Sequence, residues 1–442
     1  MKILINNATI ITQNFHRDII SRGFLLIEDD IITALGRGNY DKRLQKMKDI
    51  KVVNASNYII IPGLINTHVH LGESIYANLI KGKLGLKEYL DFTNNLSKIS
   101  DKIKLNREII CEYSLLRILR NGTTTICGGR TNKSAEKFGI RNVSGYMLMK
   151  SNSLGKYSKN IKKQFFEEYA VINHSLTRPA IFIHSLNTVD KQIIAQIKKI
   201  AEIYPNLTII VHIAETIDSE KQVRKIWKAS AVKTLKKSGL LNKKMLIVHG
   251  NHISDADLKL IIHSQASIVH CLSSNLRVAD ATINLKKIHK KGASICIATD
   301  GVATSGTFSI LSEGRLCLLF HNRFSDAGNH ITSQEIFDMI TINAARAIGM
   351  ADIIGSIEIG KKADLCFIKN QFDGNYLGAD RLVENIIMNG EFNGISGIMV
   401  NGRFLMWNQK ITVVNENKTI EKFIRLEKDV WNELISKKIL FV

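Results

Sequence analysis

Through the middle of this chain the apolar residues fall into short unbroken runs, not into alternating or helical stripes. Leu64-Ile65-Asn66-Thr67-His68, Thr123-Thr124-Thr125-Ile126-Cys127, the stretch around Val143-Ser144-Gly145-Tyr146-Met147 and Ala180-Ile181-Phe182-Ile183-His184 are four of them. Leu207–His212, Met245–His249, Ala266–His270 and Ala293–Thr299 bring the count to eight. Runs without alternation are what strands buried on both faces require. Helical stretches separate them, so the pattern predicts an α/β protein, a (β/α)8 TIM-like barrel over residues 61–355.

The two ends read differently. Phe24 to Gly36 looks like two strands around the acidic turn Asp29-Asp30, so residues 1–60 are expected to be β. After the barrel, Gly355 to Ile368 returns to short strands and glycine turns, and Ile398–Met406 reads as a hairpin with Asn401-Gly402 at its turn. Residues 1–60 and 356–442 are therefore expected to pair into one small β-sandwich domain. A terminal helix should follow over residues 418–438, with Ile420, Phe423, Ile424, Leu426, Val430, Trp431 and Leu434 on its apolar face.

Composition narrows the class without changing it. Hydrophobic residues make up 45% and charged residues 23%, an ordinary globular balance that argues against extended disorder. The opening Met1-Lys2-Ile3-Leu4-Ile5-Asn6-Asn7 turns polar too early for a secretory segment, and no apolar run reaches the ~18 residues a bilayer needs. A cytoplasmic location is expected, with no membrane partner. Six cysteines without any CxxC pair are expected to be buried free thiols. The formal charge of +21 raises nucleic acid as a partner, but pairs such as Lys198-Lys199 and Lys243-Lys244 are scattered and lack aromatic interleaving. A nucleic-acid partner is therefore not expected, and long-range steering of an anionic substrate is the remaining use of the charge.

The candidate chemistry sits where the runs end. His68 and His70 are one residue apart on a strand, so period two points both to one face. They can share one ion, although a structural histidine pair is the competing reading. His212 ends another run with Glu215 three residues on, His249 and His270 end two more, and Asp300 follows the last. Three imidazoles and one carboxylate suit zinc and leave room for a water, as in a catalytic site. Glu215 is then the expected proton shuttle and His249 the group that orients the nucleophile, while Asp300 both ligates and accepts a hydrogen bond from it. Glu73 and Arg130 are candidate substrate contacts, through a ring N–H and an anionic group respectively. For each, a bracing role at the barrel rim competes. Asn275 and Arg277 are further rim residues, Asn275 read as a loop brace.

Taken in order, Pro62-Gly63-Leu64-Ile65-Asn66-Thr67-His68-Val69-His70, His212-Ile213-Ala214-Glu215-Thr216, His249, His270-Cys271-Leu272-Ser273-Ser274-Asn275, Thr299-Asp300-Gly301 and Gly360-Lys361-Lys362-Ala363-Asp364-Leu365 resemble the amidohydrolase superfamily. Within it they look like the chlorohydrolase and nucleoside-type deaminase branch. The resemblance implies a single divalent metal ion, zinc with iron as the alternative, on His68, His70, His212 and Asp300, with Glu215 and His249 as the acid/base pair. It also implies that His184 faces the substrate, while His270, which matches no known ligand, is a substrate-facing or supporting residue. The chain departs from the deaminases at Leu186-Asn187, where they carry Pro-Tyr, and at Leu272, where they carry Pro.

The activity expected from this set is hydrolytic deamination of an amino-substituted N-heterocycle, purine-like, pterin or triazine, with release of ammonia. A chlorohydrolase or a cyclic-amide hydrolase would use the same groups. A basic, non-catalytic nucleic-acid-binding relative is the reading from a different class. Homo-oligomers are common among the resembled enzymes, which makes one an expectation by analogy.

Overall fold

Eight consecutive buried segments line up side by side in the computed structural model, which describes residues 2–38, 40, 49–77, 79–80, 82–100, 105–129, 132–149, 161–165, 176–323, 330–369, 381–388 and 394–436. They are Leu64–His70, Thr123–Gly129, Arg141–Leu148, Thr177–Ser185, Thr208–Ile213, Met245–His249, Ser267–His270 and a last segment split into Ser294–Ile297 and Asp300–Gly301. Every neighbouring pair is parallel. Ser294–Ile297 pairs with Ser267–His270, and Asp300–Gly301 pairs with Leu64–His70, so the two edges of the sheet meet in one segment and the barrel closes. The fold is the expected α/β barrel.

The split lies at Ala298-Thr299, and a side chain repairs it. Asn66 accepts from the Thr299 backbone N–H at 3.2 Å and donates to Thr299 Oγ1 at 2.7 Å, which ties the first strand to the last where ladder bonds are missing.

Period two sorts the strand residues between two cores. Ile65, Val143, Ala180, Phe182, Ile210, Leu246, Val248, Val269, Cys296 and Ala298 fill the barrel interior. Ile181, Ile183, Ile209, Val211, Met245, Ile247, Ile268, Ile295 and Ile297 face the surrounding helices. The continuous apolar runs are continuous because both faces are covered. All six cysteines are buried and free, as expected.

Both chain ends join one further sheet of nine strands. Lys2–Ile11, Ile19–Glu28, Ile31–Arg37, Ile50–Asn54 and Tyr58–Pro62 meet Leu365–Lys369, Ile395–Val400, Arg403–Trp407 and Lys410–Ile411, with Leu365–Lys369 antiparallel to Tyr58–Pro62 at the junction. In hydrogen-bond terms the expected sandwich is thus one continuous sheet. The hairpin turn is the predicted Asn401-Gly402, both residues left-handed at φ 47° and 71°. The last helix, Glu416–Ser436, buries Phe423, Val430 and Leu434, and Phe423 stacks on Tyr113 of the helix Arg107–Arg120 at 3.8 Å between ring centres.

One buried ion pair clamps this sheet to the barrel. Arg141, at the start of a barrel strand, donates to both carboxylate oxygens of Asp364 at 2.8 and 3.0 Å and also to the Asn401 side chain, and the Asn401 N–H donates to Asp364 at 2.9 Å. Arg141 and Asp364 side chains are only 3% and 2% exposed, so removing one leaves the other charged and dry. Arg141→Met is expected to cost about 3–5 kcal/mol of stability, and Arg141→Met with Asp364→Leu to recover part of that loss. Thermal unfolding of the two variants checks it. A single variant as stable as the parent would remove the clamp.

Candidate active site

The ends of the barrel strands carry the site. On the first strand the register slips between Asn66 and Val69, which lets both His68 and His70 turn to the barrel mouth. On Thr208–Ile213, Ile210 faces inward and so does His212, two residues on. Ala298 faces inward, and Asp300 repeats its direction with a left-handed backbone, φ 60°. These four residues bring one ligand atom each to within 4.8 Å of one another, the metal-compatible cluster found among the described residues.

The spacing fits a cation. Ligands on a tetrahedral zinc, with bonds of about 2.0–2.1 Å, lie roughly 3.3 Å apart. Here His68 Nε2 is 3.0 Å from His212 Nε2 and 3.2 Å from Asp300 Oδ1, and His70 Nε2 is 3.1 Å from the same oxygen. The His68 and His212 rings are close to perpendicular, at 88°, with their Nε2 atoms aimed at one point. Phe182 forms the wall behind them, edge to face with both rings.

Charge states at three of the four residues suit the same role. Burial holds His68 down to about 4 and His212 well below the usual histidine range, so both present lone pairs. At His70 burial is outweighed by the hydrogen bond to Asp300 and by the charges of Glu73, Asp300 and Glu215, which raise it to about 9. Asp300 stays ionised well below its usual value: burial opposes this, but its hydrogen bonds with His68 and His70 prevail. Ser274 Oγ donates to Asp300 Oδ2 at 2.6 Å, leaving Oδ1 to the histidines.

Glu215 follows the strand Thr208–Ile213 and lines a cavity of about 610 Å³ together with His70, His184, His212, His249 and Asp300. Burial raises its pKa, so its proton is held closer to neutrality than that of an ordinary glutamate. His249 Nε2 lies 3.7 Å from Glu215 Oε1 and 4.0 Å from Asp300 Oδ2. His184 packs its ring on His212, 5.3 Å between centres, inside the same cavity, where the sequence resemblance put it.

Backbone conformation, not parity, separates His249 from His270. Both stand at odd counts from inward-facing neighbours, Val248 and Val269, so strict alternation sends both outward to the helices. His270 obeys: its Nε2 meets His321 Nε2 at 3.0 Å on the helix Ile310–Asn322, and it does not line the cavity. The expectation of a substrate-facing His270 is not met. At His249 the backbone turns left-handed, φ 69°, and swings the ring to within 5.1 Å of His212. Such backbone in a non-glycine residue is uncommon and strained, and persists where surrounding contacts hold it.

Glu73 lines the cavity, and Tyr89 holds one of its two carboxylate oxygens. Tyr89 donates to Oε1 at 2.7 Å, and Oε2 is packed against Gly301. A Cβ built on Gly301 would lie 1.7 Å from Oε2 and 2.5 Å from Oε1, although φ there is an ordinary −73°. The glycine after Asp300 is thus required by Glu73. Gly301→Ala is expected to push on Asp300 and weaken zinc binding roughly 10- to 100-fold, with Glu73→Ala in the same chain restoring part of it. Chelator competition measures both, and a double variant no better than the single one would refute the coupling.

Arg130 lies outside the described residues. Arg277 donates to the carbonyls of Ile80 at 2.7 Å and Gly82 at 3.2 Å, bracing the loop after the first strand. Tyr89 and Asn251 were missed as site residues in the sequence because they stand on a helix and a loop with no periodic signal. Asn275 proves to contact His249 directly, its Oδ1 lying 2.8 Å from His249 Nδ1. Among the described residues no helix is long and apolar enough to cross a membrane.

Comparison with known proteins gives the same picture. The profile of the Amidohydrolase family matches residues 59–405. The 5-methylthioadenosine/S-adenosylhomocysteine deaminase of Clostridium tetani is 25% identical over 440 residues, covering 98% of this chain and all of that protein. The enzyme of the same name from Pyrococcus furiosus is 28% identical, covering 92% of this chain and 96% of its own. Among solved structures, an adenosine deaminase from Xanthomonas campestris with bound zinc superposes with a TM-score of 0.87 over 97% of this chain and 98% of its own, at 17% identity.

Proposed function

The chain belongs to the amidohydrolase family, and on that premise we propose that it is a zinc-dependent hydrolase that removes the exocyclic amino group of an adenine nucleoside bearing a small apolar 5′ substituent. The observation that carries the reading is the convergence of His68, His70, His212 and Asp300 on one point, with Glu215 and His249 facing it from the cavity side.

A zinc ion held by those four residues would act as a Lewis acid and bring the deprotonation of water near neutrality. Everything else is done by side chains. Glu215 accepts the proton of the attacking water at its carboxylate and passes it to the ring nitrogen beside the carbon attacked. The new C–O bond converts that carbon to a tetrahedral centre. His249 presents Nε2 to the same space and orients the nucleophile, while Asp300 Oδ2 accepts a hydrogen bond from it. The remaining water proton reaches the amino group, the C–N bond breaks, and ammonia leaves as the ring carbonyl forms.

Away from the histidines the cavity wall is mixed, with an apolar part beside Thr93, Asn94 and Arg107. Leu86, Leu90 and Leu96 come from the helix Leu86–Ser100, Ile110 from Arg107–Arg120 and Val430 from the last helix. A 5′ methylthio group placed there leaves water for hydrocarbon, whereas a 5′ hydroxyl does not. The expected kcat/KM for 5′-methylthioadenosine exceeds that for adenosine by roughly tenfold, in line with about 1–3 kcal/mol for such a group. Ammonia release from adenosine, 5′-deoxyadenosine, 5′-methylthioadenosine and S-adenosylhomocysteine by zinc-loaded protein tests the proposal. No release from any of them would overturn the substrate class.

A further inference from the structure

We propose that Asn251 and Asn275 form a hydrogen-bond relay that sets which nitrogen of His249 carries its proton, making both asparagines positioning residues for the group that faces Glu215. The relay starts from an atom whose polarity is beyond doubt. The backbone carbonyl of Glu215 can only accept, and Asn251 Nδ2 donates to it at 2.9 Å. That turns Asn251 Oδ1 toward Asn275, which donates its own Nδ2 at 2.9 Å. Asn275 Oδ1 is left facing His249 Nδ1 at 2.8 Å. An amide oxygen accepts, so Nδ1 is the nitrogen that the row requires to carry a hydrogen.

Reversing either amide would set oxygen against oxygen or N–H against N–H along the row. Asn275 is 1% exposed and His249 fully buried, so water cannot repair such a reversal. His249 Nε2 is itself buried with no hydrogen-bond partner in the protein, and it points at the space between Glu215 and Asp300. From there Nε2 reaches the nucleophile's position, so the bonds that hold the ring also hold that contact. The ring is also the one whose left-handed backbone takes it off its strand's outward face, so something must hold it. Because the row begins at the carbonyl of Glu215, the acid/base carboxylate and His249 are placed by one set of bonds. The loops agree: the Gly250 and His252 N–H groups donate to the carbonyls of Ile213 and Ala214 at 2.9 and 3.0 Å.

The kinetic part of the test rests on the function proposed above, while the spectroscopic part does not. In zinc-loaded protein carrying 15N-histidine, the signal lost in His249→Gln should show Nδ1 protonated. Asn275→Leu should lower kcat roughly 100-fold with KM within about threefold, and Asn275→Asp, which still accepts from Nδ1–H, should recover at least about tenfold of it. Asn251→Leu leaves the contact to His249 intact but frees the Asn275 amide to turn, so a second His249 tautomer should appear in the spectrum. That variant carries the test if Asn275→Leu does not fold. A His249 found with Nδ1 bare in the parent, a spectrum unchanged in both leucine variants, or an aspartate no better than leucine at position 275 would each overturn the relay. If the parent releases no ammonia from any substrate, the proposed function fails and the spectra still decide the relay.

Discussion

Glu215→Gln is expected to stop turnover, lowering kcat by roughly 100- to 10,000-fold while one zinc per chain stays bound. The substitution keeps the shape of the side chain and the backbone carbonyl that accepts from Asn251, so the loop after the strand Thr208–Ile213 should hold. What it removes is the carboxylate that takes up and returns a proton. Glu215 is suited to that task because burial raises its pKa toward neutrality and His249 lies 3.7 Å away. Ammonia release together with metal analysis checks the prediction. A fully active variant, or an inactive one stripped of zinc, would mean that Glu215 does not move the proton.

Removing the metal should have the other large effect. Treatment with a chelator is expected to abolish ammonia release, lower the unfolding temperature, and be reversed by one equivalent of zinc. At free zinc a thousandfold above its dissociation constant, the bound ion would contribute about 4 kcal/mol to stability. The sign with pH also follows. His70 is raised to about 9 without the ion, so below that pH zinc must displace a proton, and affinity should weaken as pH falls. Isothermal titration at several pH values, with scanning calorimetry, reads both. Retained activity in zinc-free protein, or affinity that rises on acidification, would argue against this ligand set.

Most of the barrel was legible before any coordinates, for a plain reason. A parallel strand covered on both faces must be apolar throughout, and such runs are short enough to stand out between helices. The run Met245–His249 is a strand with those bounds, and Leu64–His68 extends only to His70. The candidate ligands were legible too, because histidines and an aspartate that close apolar runs are metal-binding residue types brought to one end of the strands. The paired chain ends were read from turn residues, of which Asn401-Gly402 is the clearest.

Three things needed the tertiary structure. His249 and His270 look alike in sequence, each ending an apolar run, yet one backbone angle sends the first into the site while the second obeys alternation and meets His321. Glu73 reads as a candidate substrate contact in sequence, and only the fold shows Tyr89 on one of its carboxylate oxygens and Gly301 against the other. Asn251 on a loop and Asn275 in the short helix Leu272–Val278 carry no signal in sequence until the barrel sets them in line between Glu215 and His249. Sequence by itself determined which segments are strands and which chemical groups stand at their ends, since periodicity and residue type are local. Direction and partnership depend on register, on left-handed turns and on neighbours distant in sequence, and only the closed barrel decided those.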